Sequence, residues 1–310
     1  MERLIAVIGP TAVGKTRVSI DLAEKLGTEI ISGDSMLVYR RMDIGTAKPN
    51  AAERRGIRHH LIDILEPDED FSVVDFQTQA AQLVAAINAA GRIPVLAGGT
   101  GLYVKALLEG YTFNAVESDA EVRSRLAALA DRHGSAYLYG LLQQASPEAA
   151  AGLHPNDLRR IIRALEIHQL SGEPVSRRRK TDGLSYDALV IGLTMPREML
   201  YRRINQRVDA MVERGLVEEV ARLLDAGVPP DAQAMQGIGY KEIALYLRGE
   251  TDLPETVDRL KQATRNFAKR QLTWYRKMNY IQWVPVDEFP DYEKMLAYIY
   301  SLVAGKFSLE

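Results

Sequence analysis

The chain has 310 residues, 46% of them hydrophobic and 26% charged, with a formal net charge of −2 at pH 7. This is the composition of an ordinary globular protein, long enough for one large core or two domains. It contains no run near the roughly 18 apolar residues of a membrane span and, lacking cysteine, no disulfide frame or thiolate metal site. Met1-Glu2-Arg3 leads straight into an apolar run, which leaves no room for a signal peptide and is expected of a cytoplasmic chain.

The first apolar run, 4–8, reads as a buried strand. Gly9-Pro10-Thr11-Ala12-Val13-Gly14-Lys15-Thr16 follows directly, and the next helix spans 16–26 up to Gly27. A strand, a G-x-x-x-x-G-K-T turn and a helix in this order form a phosphate-binding loop. Its glycines bring backbone N–H groups and the positive helix end close to a polyphosphate. Lys15 adds a mobile cation, and Thr16 offers a hydroxyl to Mg²⁺. Strand 29–32 comes next and ends at Asp34. A polar loop with Gly45, Lys48 and Pro49 leads to a short strand at 60–64. Ser72 caps a long helix, 73–90, and strand 93–97 stops at Gly98-Gly99-Thr100-Gly101 before helix 102–109. Alternating strands and helices predict a parallel sheet covered on both faces, a phosphate-loop core of the α/β class.

From 114 to 185 the strand patterns vanish. Helices are expected at 119–132, 136–144, 147–152 and 157–170, an all-helical domain inserted into the core. The core, 1–113 and 186–310, resumes with a strand at 188–193 and helices at 197–214, 216–226, 240–248 and 255–277, then a strand at 281–284 and a final helix. Two stretches are basic despite the near-neutral whole: Arg159, Arg160, Arg163, Arg177, Arg178, Arg179 and Lys180, and then Arg259, Lys261, Arg265, Lys269, Arg270, Arg276 and Lys277. Such local fields attract phosphate backbones, although solvated helix faces carry the same charges.

In open α/β sheets ligands bind at the carboxyl ends of strands, so Asp34 shares a crevice with the phosphate loop. There it accepts a proton or helps hold a metal; alternatively it caps the next turn. A Walker-type ATPase places an Asp where this chain has Gly98-Gly99-Thr100-Gly101. Glycine N–H groups and a hydroxyl suit a diphosphate or a base edge better than water activation. The five histidines show no ligand spacing with carboxylates and read as structural, and Trp274 and Tyr275 read as core.

In order along the chain, these segments resemble the tRNA dimethylallyltransferase (isopentenyl-tRNA transferase) family. The match rests on 9–16, on Asp34-Ser35-Met36 with Tyr39, on Met42-Asp43-Ile44-Gly45-Thr46-Ala47-Lys48-Pro49 and on Gly98-Gly99-Thr100-Gly101-Leu102-Tyr103. It continues through His154-Pro155-Asn156-Asp157, Gly237-Ile238-Gly239-Tyr240-Lys241 and Ala268-Lys269-Arg270-Gln271. One departure is Leu37, where many members carry glutamine. The resemblance implies dimethylallyl diphosphate in the loop 9–16, Mg²⁺ on Thr16, and transfer to N6 of the adenosine beside the anticodon of tRNA. It implies Asp34 as general base, Thr100 as an orienting group and Arg207 as the arginine on the diphosphate. It places at the anticodon stem-loop Asp34, Ser35, Met36, Leu37, Thr100, Arg123, Arg159, Arg160, Ile161, Ile162, Arg163, Gln236, Gly237, Ile238, Gly239, Tyr240 and Lys241. The expected enzyme is a monomer that needs no membrane. Rival readings are a phosphate-loop kinase of small molecules, a prenyltransferase of free AMP or ADP, and a non-catalytic nucleotide-switched RNA-binding module.

Overall fold

The computed structural model describes residues 1–113, 116, 118–173, 177–179 and 183–309. The chain forms two compact units, Met1–Glu109 with Gly183–Glu310, and Gly110–Asp182. The first is built on strand β1 (Arg3–Ile8), helix α1 (Lys15–Leu26), β2 (Ile30–Ser32), a short α2 (Ala51–Arg54), β3 (His59–His60), α3 (Val73–Ala89), β4 (Val95–Gly98) and α4 (Gly101–Leu108). The second contains β5 (Tyr111–Phe113), α5 (Ala120–His133), α6 (Ser135–Ala145), α7 (Pro147–Ala151), α8 (Leu158–Ser171) and β6 (Arg177–Arg179). The first resumes with β7 (Asp187–Thr194), α9 (Arg197–Glu213), α10 (Leu216–Asp225), α11 (Tyr240–Leu247), α12 (Leu253–Tyr275), β8 (Ile281–Pro285) and α13 (Tyr292–Phe307).

The six strands of the first unit pair in the order β3-β2-β4-β1-β7-β8, every pair parallel. A parallel sheet is covered on both faces, so its strands read as continuous apolar runs. In β1, Leu4, Ala6 and Ile8 enter one hydrophobic core while Ile5 and Val7 enter the other. The two-residue period of the strand therefore divides one apolar run between two helical layers. With β1 at the centre, the loops after β1, β2 and β4 emerge side by side at one end of the sheet.

Local signals set the helix ends. Ser72 accepts from the Asp75 N–H and Asp75 answers at the Ser72 backbone, a capping box at the start of α3. Gly27 closes α1 in the left-handed region, with φ 57°. The second unit packs its helices around Leu126, Leu138, Leu142, Ile161 and Leu165. It is not all-helical: β5 and β6 form an antiparallel ribbon with Phe113 opposite Arg177. Three consecutive arginines carry no apolar alternation, so only pairing with a strand far back in the chain reveals β6. Lys180, counted with the basic stretch, lies outside the described residues. No helix among the described residues is long and apolar enough to cross a membrane.

Candidate active site

The loop 9–14 turns sharply out of β1. Gly9 lies so close to β7 that a side-chain carbon there would sit 2.6 Å from the Leu193 carbonyl oxygen. Gly14 caps α1 with φ 110°, a conformation open mainly to glycine. Lys15 is the first residue of α1, and its ammonium folds back to donate to the Pro10 carbonyl (2.9 Å). Burial pushes the Lys15 ammonium down to about 8; Asp34 pulls it up and Arg207 pushes it down further. The exposed Thr16 follows at the same helix end.

Asp34 stands just beyond β2. Its Oδ1 accepts the Met36 N–H (2.9 Å) in a short side-chain turn. The next residue, Ser35, donates its N–H to Thr100 Oγ1 (3.0 Å). The turns after β2 and β4 touch backbone to backbone. Gly33 donates to the Ala97 carbonyl (2.8 Å), and a side-chain carbon on Gly98 would collide with the Gly33 carbonyl. Gly98 is needed for this close approach. Gln271 of α12 ties the turns together from above: its Oε1 accepts the Thr11 N–H (2.8 Å) and its Nε2 donates to the Gly99 carbonyl (2.8 Å).

Arg207 comes from α9 to line the same cleft, which is bordered by Thr11, Lys15, Thr16, Asp34, Leu37 and Gly98. Burial, then Arg214 and Arg203, pull its guanidinium below the usual arginine range. Among the described residues neither Lys15 nor Arg207 has a carboxylate in ion-pair range. Two partly buried cations thus meet in one cleft beside the carboxylate of Asp34.

A family model described as IPP transferase matches residues 37–278. The chain belongs to the IPP transferase family. It is 52% identical over 284 residues to a tRNA dimethylallyltransferase of Symbiobacterium thermophilum, covering 91% of this chain and 88% of that one. It is 47% identical over 311 residues to one of Geobacillus kaustophilus, covering 100% and 98%. Among solved structures, the full-length tRNA isopentenylpyrophosphate transferase of Bacillus halodurans superposes with a TM-score of 0.75 at 47% identity, over 99% of this chain and 97% of that chain. A eukaryotic dimethylallyltransferase acting on tRNA gives 0.76 at 27% identity, over 98% and 80%. The chain is thus an enzyme of the family.

Several residues that the resemblance places at the RNA have buried or half-buried side chains in this structure. Ile161 is fully buried in the core of the second unit and Ile162 packs half-buried against it, because they fall on the apolar face of α8. Tyr240 is also buried, and its hydroxyl donates to Glu219 (2.6 Å). Arg159, Arg160, Gln236 and Lys241 are exposed. Arg123 and Arg163 are bound on one side: both donate to the fully buried Glu166, at 2.9 and 2.6 Å. Burial pushes the Glu166 carboxyl up, but Arg163, the Asp119 N–H and Arg123 together hold it below the usual range.

Lys48 is not a loop cation in solvent. Its buried ammonium donates to the Tyr39 carbonyl (2.7 Å) and meets Asp63 (2.6 Å) and Asp43 (2.8 Å), closing a loop whose core is the buried Tyr39 and Met42. Lys48→Ala is expected to cost about 2–3 kcal/mol in thermal or denaturant unfolding, the scale of hydrogen bonds to charged groups. A loss under about 0.5 kcal/mol would show the lysine idle. His59, read as structural, reaches the cleft; burial first, then Arg54 and His60, pull its imidazole below the usual range. Glu219, and the role of Gln271 beyond its place in a matched motif, escaped the sequence reading because each acts on backbone groups far away in the chain.

Proposed function

We propose that this chain transfers a dimethylallyl group from dimethylallyl diphosphate to N6 of the adenosine 3′-adjacent to the anticodon in tRNA. The observation that carries the reading is that one cleft brings Lys15 and Arg207 together with the carboxylate of Asp34, with glycines and Thr100 where an ATPase places its metal-binding Asp. The diphosphate takes the loop N–H groups, Lys15 and Arg207. As the C1–O bond of the allyl group breaks, the leaving diphosphate gathers negative charge, and these donors stabilise it. The N6 lone pair forms the new N–C1 bond. N6 sheds its proton to Asp34, whose turn to Met36 holds the carboxylate in place.

The donor set suits Mg²⁺: the exposed Thr16 hydroxyl at the start of α1 would hold the ion, with diphosphate and water oxygens as the further hard donors Mg²⁺ prefers. When bound, the ion neutralises diphosphate charge. Thr100 orients the acceptor. Its hydroxyl donates to Ser35 Oγ (3.3 Å) while accepting the Ser35 N–H. Lifting the target base from its stack costs a few kcal/mol, and the exposed Arg159 and Arg160 help to offset it through RNA phosphates.

The test is incubation with labelled dimethylallyl diphosphate, Mg²⁺ and an unmodified anticodon stem-loop, with AMP and ATP in parallel. Label in the RNA and none in AMP is the expected result. Label in AMP, or phosphoryl transfer from ATP to a hydroxyl compound with no labelled RNA, overturns the reading. Arg159→Ala with Arg160→Ala is expected to weaken stem-loop binding and lower the slope of log K against log salt by about one to two units. An unchanged slope would remove both residues from the RNA path.

A further inference from the structure

Glu219 lies on α10, is 3% exposed and has no cation partner among the described residues. A buried carboxylate is costly unless its lone pairs are filled. Here four donors fill them. Oε2 accepts the N–H groups of Asp43 (2.9 Å) and Ile44 (2.8 Å). Oε1 accepts the Gly45 N–H (3.0 Å) and the Tyr240 hydroxyl (2.6 Å). Three successive backbone N–H groups converging on one carboxylate form a nest that fixes the loop conformation. Burial, then Glu219 itself, pushes the Tyr240 phenol far up, so it stays a donor.

The donors to this carboxylate come from two separate elements, the loop 43–45 and the start of α11. Asp43, Ile44 and Gly45 run directly into Thr46 and Ala47, which form part of the cleft wall with Lys15 and Asp34. Tyr240 opens α11 and presses its ring against Gly45, so closely that a side-chain carbon there would sit 2.6 Å from the ring. Three residues before Tyr240, Gly237 abuts the end of the Met36 side chain, and Met36 donates its N–H to Asp34. The segment 237–240 is therefore fastened at both ends, to Glu219 and to the residue that holds Asp34.

We propose that Glu219 is a positioning residue that holds the loop 43–47, which carries the cleft residues Thr46 and Ala47, in register with the segment 237–240, and thereby with the turn that carries Asp34. The proposal rests on the prenyl-transfer reading above. Loss of the register misplaces N6 against C1, and misplacement on the order of 1 Å costs as much as a hundredfold in rate. The diphosphate keeps its own partners, because none of them touches Glu219.

Glu219→Gln keeps the shape but replaces an acceptor oxygen with a donor, so its one carbonyl oxygen satisfies at most two of the four donors. The expected result is a fall of about tenfold in kcat with the Kd for dimethylallyl diphosphate changed less than threefold, and faster hydrogen exchange at the amides of Asp43, Ile44 and Gly45. Tyr240→Phe removes one bond of the four and is expected to lower kcat about threefold, the donor Kd again being held. It carries the test if Glu219→Gln fails to fold. Wild-type kcat in a folded Glu219→Gln protein, or in Tyr240→Phe when that variant stands alone, overturns the proposal. So does unchanged exchange at the three amides. The exchange readout needs no turnover, so an inactive wild type would sink the prenyl-transfer reading and leave the tie between Glu219 and its loop separately measured.

Discussion

Asp34→Asn is expected to lower the rate of prenyl transfer by at least about a hundredfold, the lower end of what a positioned general base contributes. The substitution isolates proton acceptance. The side-chain oxygen remains available to the Met36 N–H, which Asp34 Oδ1 accepts at 2.9 Å. Ser35 keeps its bond to Thr100, and the contact between Gly33 and Gly98 is untouched. What disappears is the group proposed to take the N6 proton as nitrogen bonds to carbon. Stem-loop affinity and melting temperature are accordingly expected to stay at wild-type values while single-turnover transfer slows. Turnover within threefold of wild type would exclude Asp34 as the base and leave it as the holder of its own turn. Asp34→Ala separates the two roles further. It also deletes the bond to Met36, so it is expected to lose rate and loosen the segment against Gly237.

Local signals made most of the fold legible. The apolar run of β1 and the loop after it, the Ser72 cap and Gly27 depend on neighbours in sequence, and the strand–turn–helix order placed Asp34 beside the phosphate loop. Long-range pairing hid the remainder. Strand β6 has no pattern of its own. The segment 42–49 looked like an exposed polar loop, yet it closes over Tyr39 and Met42 with Lys48 turned inward. A buried lysine that satisfies a carbonyl and two carboxylates has the same one-letter signature as a solvated one. Tyr240 and Ile161 show the converse. The resemblance marked them as RNA contacts, whereas their side chains are buried in the structure. Gln271 sits in a matched motif without any local hint that its amide bridges Thr11 and Gly99 across the site.

Lys15→Met is expected to cut kcat/KM for dimethylallyl diphosphate by about a hundred- to a thousandfold, the range for removing one donor from a developing anion, and at the same time to stabilise the ligand-free fold near pH 7. The two effects share a cause. Burial holds the Lys15 ammonium down at about 8, against 10.5 for an ordinary lysine, so folding disfavours its charged form. Below pH 8 the lysine is charged in the folded and unfolded chains alike and the full cost is present. Between about 8 and 10.5 the unfolded chain binds the extra proton, so stability of the ligand-free protein rises with pH across that window. Methionine has nothing to titrate, and the variant lacks that rise. Donor binding follows the opposite sign. The free enzyme loses the cation as pH climbs past 8, and kcat/KM for the donor falls there. Melting curves at pH 7 and pH 9.5, with and without inorganic diphosphate, read both halves. A Lys15→Met protein less stable than wild type at pH 7 would show the ammonium to be a structural tie to the Pro10 carbonyl rather than a charge held for the diphosphate.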